Sequence, residues 1–275
     1  MPIGTELPHA SRRRFVIGVS LAVLAALGGA RSAAPQPAAP APPASVIDDL
    51  VAANRILANE GVVDGYGHVS VRHPGAANRF LMSRSMAPAL VTAADIMEYD
   101  LDSTPVDPRG RTSFLERFIH GEIYKAQPGV MAVVHNHSPS VIPFGATTVP
   151  LRPMYHMSAF LGGGVPVFDI KTAAGSPTNM LIATAALGHA LAQTLGTRPV
   201  ALMRGHGAVV VAPTLPLAVF RSVYTEVNAR LQAQALGLGG PVTYLDADEA
   251  RMAEATISST INRPWELWKA KALGK

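Results

Sequence analysis

No cysteine occurs among the 275 residues. The chain therefore has neither a disulfide framework nor a thiolate metal site, and any metal it binds must be held by histidine and carboxylate. No apolar run reaches the roughly 20 residues that span a bilayer as a helix. The nearest, "VIGVSLAVLAALGGA", spans residues 16–30. The charge excess of a nucleic-acid-binding protein is missing too. The formal net charge is +4, but residues 1–32 hold four arginines against one glutamate, which leaves the remainder near +1. Nucleic acid is thus not an expected partner. There is no internal repeat, so solenoid and array architectures are also excluded.

What is present begins with an organised N-terminus. "SRRRFV", Ser11 to Val16, has the twin-arginine form and precedes the apolar run and the small residues of "ARSA". Residues 1–32 are read as a twin-arginine export signal, 33–44 as a Pro/Ala-rich linker, and 45–275 as one catalytic domain. The expected location is periplasmic or secreted, with no stable membrane anchor after signal removal. Within the domain, Ser45 is expected to cap a helix that stops at Gly61. "GHVSVRH" and "RFLMS" alternate as strands around Pro74–Gly75. "FLERFIHGEIYKAQPG" has helical spacing, as do "NMLIATAALGHALAQTLG" and "LPLAVFRSVYTEVNARLQAQALG". A last helix is expected over about Asp248 to Leu273. Strands and helices alternate irregularly, which predicts a single α/β domain of three α-β-α layers around a mixed sheet.

The chemistry concentrates in "AVVHNHSPSVIPFG", residues 132–145. Residues i and i+2 of a strand share a face, so His135 and His137 aim at one point. Alone, such a pair also fits a solvated loop end or a hydrogen-bonded core pair. "MRGHGAVVV" adds His206 in a glycine turn between two apolar runs. Three imidazoles at strand ends beside tight turns fit a divalent-metal site with open positions. Glu116 is expected to open the helix immediately before the His-x-His strand. It suits a fourth ligand, a general base, or simply a helix's positive end. His120, His73 and His189 read as packing, turn and surface residues.

"ERFIHGEIYKAQPGVMAVVHNHSP" followed by "RGHGAVVV" resembles the class II aldolase/adducin family, from about Val46 to Leu236. The resemblance implies that His135, His137 and His206 are metal ligands and that Glu116 is the catalytic acid/base and can also touch the metal. It also implies a small-molecule substrate and a homo-oligomer, in many members a tetramer. The metal is expected to be Mn or Zn, with Fe or Co as alternatives. Export after folding favours Mn, which the cytoplasm can supply first.

Two departures bear on substrate. The family's sugar-phosphate aldolases carry a Gly-Asn-hydrophobic-Ser segment and a Ser-Ser pair before the glutamate. Here His68 stands in place of the asparagine, and Phe114–Leu115 replace the hydroxyls. Arg84 and Ser85, in "LMSRSMAPALV", and His156, in "MYHMSAF", complete the expected substrate-binding set with His68. The pattern is more similar to the family's decarboxylase branch, acting on hydroxy-methylpyridine dicarboxylate or dihydroxyphthalate. A decarboxylase is therefore expected. Aldolase or epimerase action on a hydroxy-carbonyl compound and non-haem iron oxygenation are the alternatives.

Overall fold

The computed structural model describes Met1, Gly4 and residues 40–274. The twin-arginine segment and all but the end of the linker lie outside the described residues. In chain order the elements are α1 (Ala44–Asn59), β1 (His68–Arg72), β2 (Arg79–Ser83), β3 (Ile96–Asp100), α2 (Phe118–Ala126), β4 (Ala132–Asn136) and α3 (Ile142–Ala146). They continue with β5 (Val167–Phe168), α4 (Ile170–Ala174), α5 (Ala185–Leu195), β6 (Val200–Met203), β7 (Gly207–Ala212), α6 (Leu215–Gly237), α7 (Ala247–Ser258) and α8 (Asn262–Ala272). The strands form one mixed seven-stranded sheet in the order β3-β2-β1-β4-β7-β6-β5. Only β5 and β6 pair in parallel; every other neighbouring pair is antiparallel.

The apolar run of β4 has no polar alternation because both sheet faces are covered. Ala132 and Val134 face one layer with Val69, Val71 and Val210, against Leu50 and Ile56 of α1, Val219 of α6 and Trp265 of α8. Val133, on the opposite face, joins Val209, Phe80 and Tyr99 under Ile119 and Ile123 of α2 and Leu191 of α5. The result is the three-layer α-β-α arrangement expected from the pattern. Each fully buried Val or Leu contributes roughly 1.5–3 kcal/mol, so the central strands and the two flanking helix layers stabilise one another.

Three local expectations are corrected. α1 begins at Ala44 after Pro43, without a side-chain cap, so Ser45 lies inside its first turn. The terminal helix is two helices, α7 and α8. Pro264 has no N–H to offer a continuing helix, and the hydroxyls of Ser259 and Thr260 donate to the α7 carbonyls of Thr256 and Ile257 at 2.7 and 2.8 Å. The break lets Trp265 and Trp268 enter the core, whereas α7 buries only Ala250. Finally, α5 starts at Ala185, where Thr184 Oγ1 accepts from the Leu187 N–H at 3.3 Å. The preceding residues stay non-helical, which frees the Ile182 N–H for Glu116.

Candidate metal centre and substrate cavity

His135 is the penultimate residue of β4, and His137 follows its end. His206 sits in the turn between β6 and β7. Gly207, next to it, is required by contact: a Cβ there would lie 2.0 Å from the Asn136 carbonyl oxygen and 2.9 Å from the His137 Cα. The glycine thus lets the two histidine-bearing segments close on one another. His137 Nε2 lies 3.2 Å from His135 Nε2 and 3.0 Å from His206 Nε2. Glu116 Oε2 is 3.5 Å from the Nε2 atoms of both His135 and His206. One ligand atom from each of the four residues falls within a 4.8 Å span.

The donor set fits a divalent ion. His135 Nδ1 donates to the Ala208 carbonyl at 3.2 Å, which leaves its Nε2 lone pair for the cluster. Glu116 Oε1 accepts the Ile182 N–H at 2.9 Å, so one carboxylate oxygen is tethered and the other faces the histidines. Burial, followed by the charges of His135 and His206, pushes His137 down to about 4. It is therefore neutral and able to ligate near pH 7. Burial pushes the Glu116 carboxyl up, but hydrogen bonds and charge from His135 and His206 hold it well below the usual carboxylate range. Three ring nitrogens and a carboxylate oxygen meeting at one point form a nitrogen–oxygen site of the kind that suits a divalent ion such as Zn or Mn.

The support behind the ligands was not visible in the sequence. Glu226 of α6 is buried and accepts hydrogen bonds from Ser138 Oγ at 2.5 Å, from the Ser140 N–H at 3.0 Å and from the Ser140 hydroxyl. It lies 86 to 88 residues from the loop it holds, and no local pattern marks that pairing.

A cavity of about 270 Å³ opens beside the cluster, and its wall includes Tyr66, His68, Ser85, Phe114, Leu115, Glu116 and His137. The His68 ring packs on Phe114 with centroids 4.5 Å apart and lies 5.1 Å from the His135 ring. Of the expected substrate-binding residues, His68 and Ser85 reach this cavity. Arg84 is not part of its wall, and its Nε donates to Asp95 Oδ1 at 2.7 Å. His156 is also elsewhere, exposed at the start of a 3₁₀ segment and bordering a separate narrow crevice with Phe160 and Arg221.

The structure adds His120, which the sequence had suggested was mere packing. It is fully buried on α2, with Nε2 2.6 Å from His68 Nδ1 and Nδ1 2.6 Å from Ser70 Oγ. Ser70 Oγ is 2.8 Å from the Tyr124 hydroxyl. Burial, then the charge of His135, pushes His120 down to about 3. Burial, then His120 and His135, lowers His68 in the same way. A signal did exist. His120 and Tyr124 are spaced four apart, which puts them along one stripe of α2, while His68 and Ser70 share one face of the strand opposite.

A sequence profile described as class II aldolase and adducin N-terminal domain matches residues 48–233. The chain belongs to this family. Among family members it is similar to the protein named decarboxylase tropJ from Talaromyces stipitatus, with 37% identity over 249 residues covering 82% of this chain and 94% of that one. It is 29% identical over 232 residues to 3,4-dihydroxyphthalate decarboxylase from Arthrobacter keyseri, covering 78% of this chain and 89% of the relative. Its fold matches L-fuculose 1-phosphate aldolase from Glaciozyma antarctica PI12 with a TM-score of 0.70 and 24% identity, covering 84% of this chain and 90% of that one.

Proposed function

We propose that this class II aldolase family member is a divalent-metal-dependent decarboxylase acting on a non-phosphorylated hydroxy-aromatic carboxylate. The decarboxylase relatives and the family make the chain a carbon–carbon lyase. The observation that carries the choice of substrate is the apolar pair Phe114–Leu115 on the wall of the cavity that reaches Glu116 and His137. An aromatic ring fits against it. A phosphate dianion would meet it without hydrogen-bond donors, at a cost of several kcal/mol.

His135, His137, His206 and Glu116 would hold the ion, which supplies Lewis-acid charge for the electron pair left beside a C–O group when the carbon–carbon bond breaks. Glu116 Oε2 takes the proton of the substrate's ring hydroxyl. It returns that proton to the ring carbon as carbon dioxide leaves, and the bonding pair stays on the ring to form the new C–H bond. The tether from the Ile182 N–H to Oε1 keeps the carboxylate oriented throughout. Mn or Zn suits the nitrogen and oxygen donors, which also accept Fe or Co. Assembly as a homo-oligomer, expected to be a tetramer, and export by the twin-arginine route to a periplasmic or secreted location belong to the same proposal. They are supported by the family resemblance and by Ser11–Val16.

The test is elemental analysis of the purified protein, then a side-by-side assay of hydroxy-aromatic dicarboxylates, fuculose phosphate and ribulose phosphate, with carbon dioxide and aldehyde both measured. Carbon dioxide release from the aromatic acids is expected. Efficient cleavage of a sugar phosphate would replace this reading with an aldolase.

A further inference from the structure

The wall of the cavity at His68 is backed by a line of hydrogen bonds that leads away from solvent. His68, Ser70, His120 and Tyr124 are all buried, and consecutive polar atoms along the line are 2.6, 2.6 and 2.8 Å apart. Two neutral imidazoles, one serine hydroxyl and one phenol contribute one mobile proton each, and three contacts use three of them. One proton is left over at an end. We propose that this line fixes the tautomer of His68 with its proton on Nε2, so that His68 presents an N–H donor to an anionic oxygen of the substrate.

The direction follows from the buried end. The Tyr124 hydroxyl has Ser70 Oγ as its side-chain partner. No other hydrogen-bond partner of that hydroxyl lies among the described residues, and the ring is buried. The phenol proton therefore has one acceptor, Ser70 Oγ. The Ser70 proton must then go to His120 Nδ1, its other contact. That leaves the His120 proton on Nε2, where it is donated to His68 Nδ1. The remaining proton of His68 is on Nε2, which has no hydrogen-bond partner among the described residues, on a ring that lines the cavity. Running the line the other way would leave the phenol proton without an acceptor in the core, the costlier arrangement.

The consequence is specificity. Neutral imidazole can either donate or accept at its free nitrogen, and the tautomer decides which. A donor beside the metal centre selects an acceptor, such as a carboxylate or phenolate oxygen, and disfavours a group with no lone pair to offer, such as an ammonium. Ser70, His120 and Tyr124 are thus positioning residues that act through His68. This inference deepens the decarboxylase reading by naming the group that would receive the substrate's anionic oxygen.

Neutron diffraction on the deuterium-exchanged full chain tests it directly. Deuterium is expected on His68 Nε2 and His120 Nε2, and Ser70→Ala is expected to divide the His68 deuterium between both ring nitrogens. Deuterium on His68 Nδ1 in the wild type, or a tautomer unchanged in Ser70→Ala, would overturn the inference. In kinetics, His68→Leu is expected to raise KM for a carboxylate substrate about tenfold or more with a smaller change in kcat, the scale of a lost hydrogen bond to a charged group. His68→Asn, whose amide can donate, should recover most of that loss; no recovery counts against the donor role. The diffraction readout uses no substrate. An Nε2-bound deuterium in a protein that releases no carbon dioxide would support the tautomer while removing the decarboxylase reading.

Discussion

Glu116 occupies a position with two separate attachments. One oxygen is tied to the Ile182 N–H, and the other faces two imidazoles at 3.5 Å. A ligand and a proton carrier respond differently to loss of charge. Glu116→Gln preserves the shape and the Ile182 contact but removes the basic oxygen. It is expected to keep substantial metal while turnover falls on the order of a hundredfold or more, the usual scale for a lost proton carrier. His135→Ala, His137→Ala and His206→Ala should each lose most of the metal instead. Elemental analysis beside a carbon dioxide assay separates the two patterns, and stoichiometric metal in all three histidine variants would place the site elsewhere.

The element that carries the site's chemistry from below is α2, and its C-terminus is held by a strand residue. Arg72 of β1 is buried and donates to the carbonyls of Val130, Ala77, Tyr124 and Gln127 at 3.0, 2.6, 2.8 and 3.1 Å. Its guanidinium also lies 4.7 Å from the Tyr124 ring centroid. A cation at a helix C-terminus is favourable in itself, and here it also satisfies the carbonyls of Tyr124 and Gln127 at the end of α2. Arg72→Leu keeps much of the packing and strands those acceptors. It should lower stability on the order of 3 kcal/mol, given roughly 1.5–3 kcal/mol for a hydrogen bond to a charged group and partial relaxation. Urea unfolding with an unchanged m-value is the measurement. A loss below about 1 kcal/mol would show that water replaces the guanidinium.

For the whole molecule, the buried histidines make stability depend on pH in a definite direction. In the unfolded chain a histidine titrates near 6.5. In the folded one, burial and His135 push His120 down to about 3, and burial, His135 and His206 push His137 down to about 4. Between those values the unfolded chain binds protons that the folded chain refuses. Stability is thus fully present above 6.5 and is lost as pH falls toward 4 and then 3, with a slope approaching about 1.4 kcal/mol per pH unit for each such histidine. Glu116, held low by its neighbours, adds to the loss only below the ordinary carboxylate range. Thermal midpoints of chelator-treated protein between pH 7.5 and 4.5 should fall with pH, and less steeply for His120→Asn. A flat profile would mean that His120 and His137 take up protons in the fold as readily as in the unfolded chain.

The strand period by itself put His135 and His137 on one face, because side chains two apart in a strand have no other choice. Likewise the glycines around His206 announced a close approach, and the irregular alternation of strands and helices announced a mixed sheet between helix layers. These are local consequences of backbone geometry and burial, so they can be read along the chain. Only the tertiary structure could bring Ser70 to His120, or Glu226 to Ser138 and Ser140, across 50 and 86 to 88 residues. Only it could show that Arg84 pairs with Asp95 and is not part of the cavity wall. Those pairings follow from which helix lies over which strand and from what else competes for a charged group. The candidate ligand residues are written in the local pattern, but the hydrogen bonds that orient them come from how the layers pack.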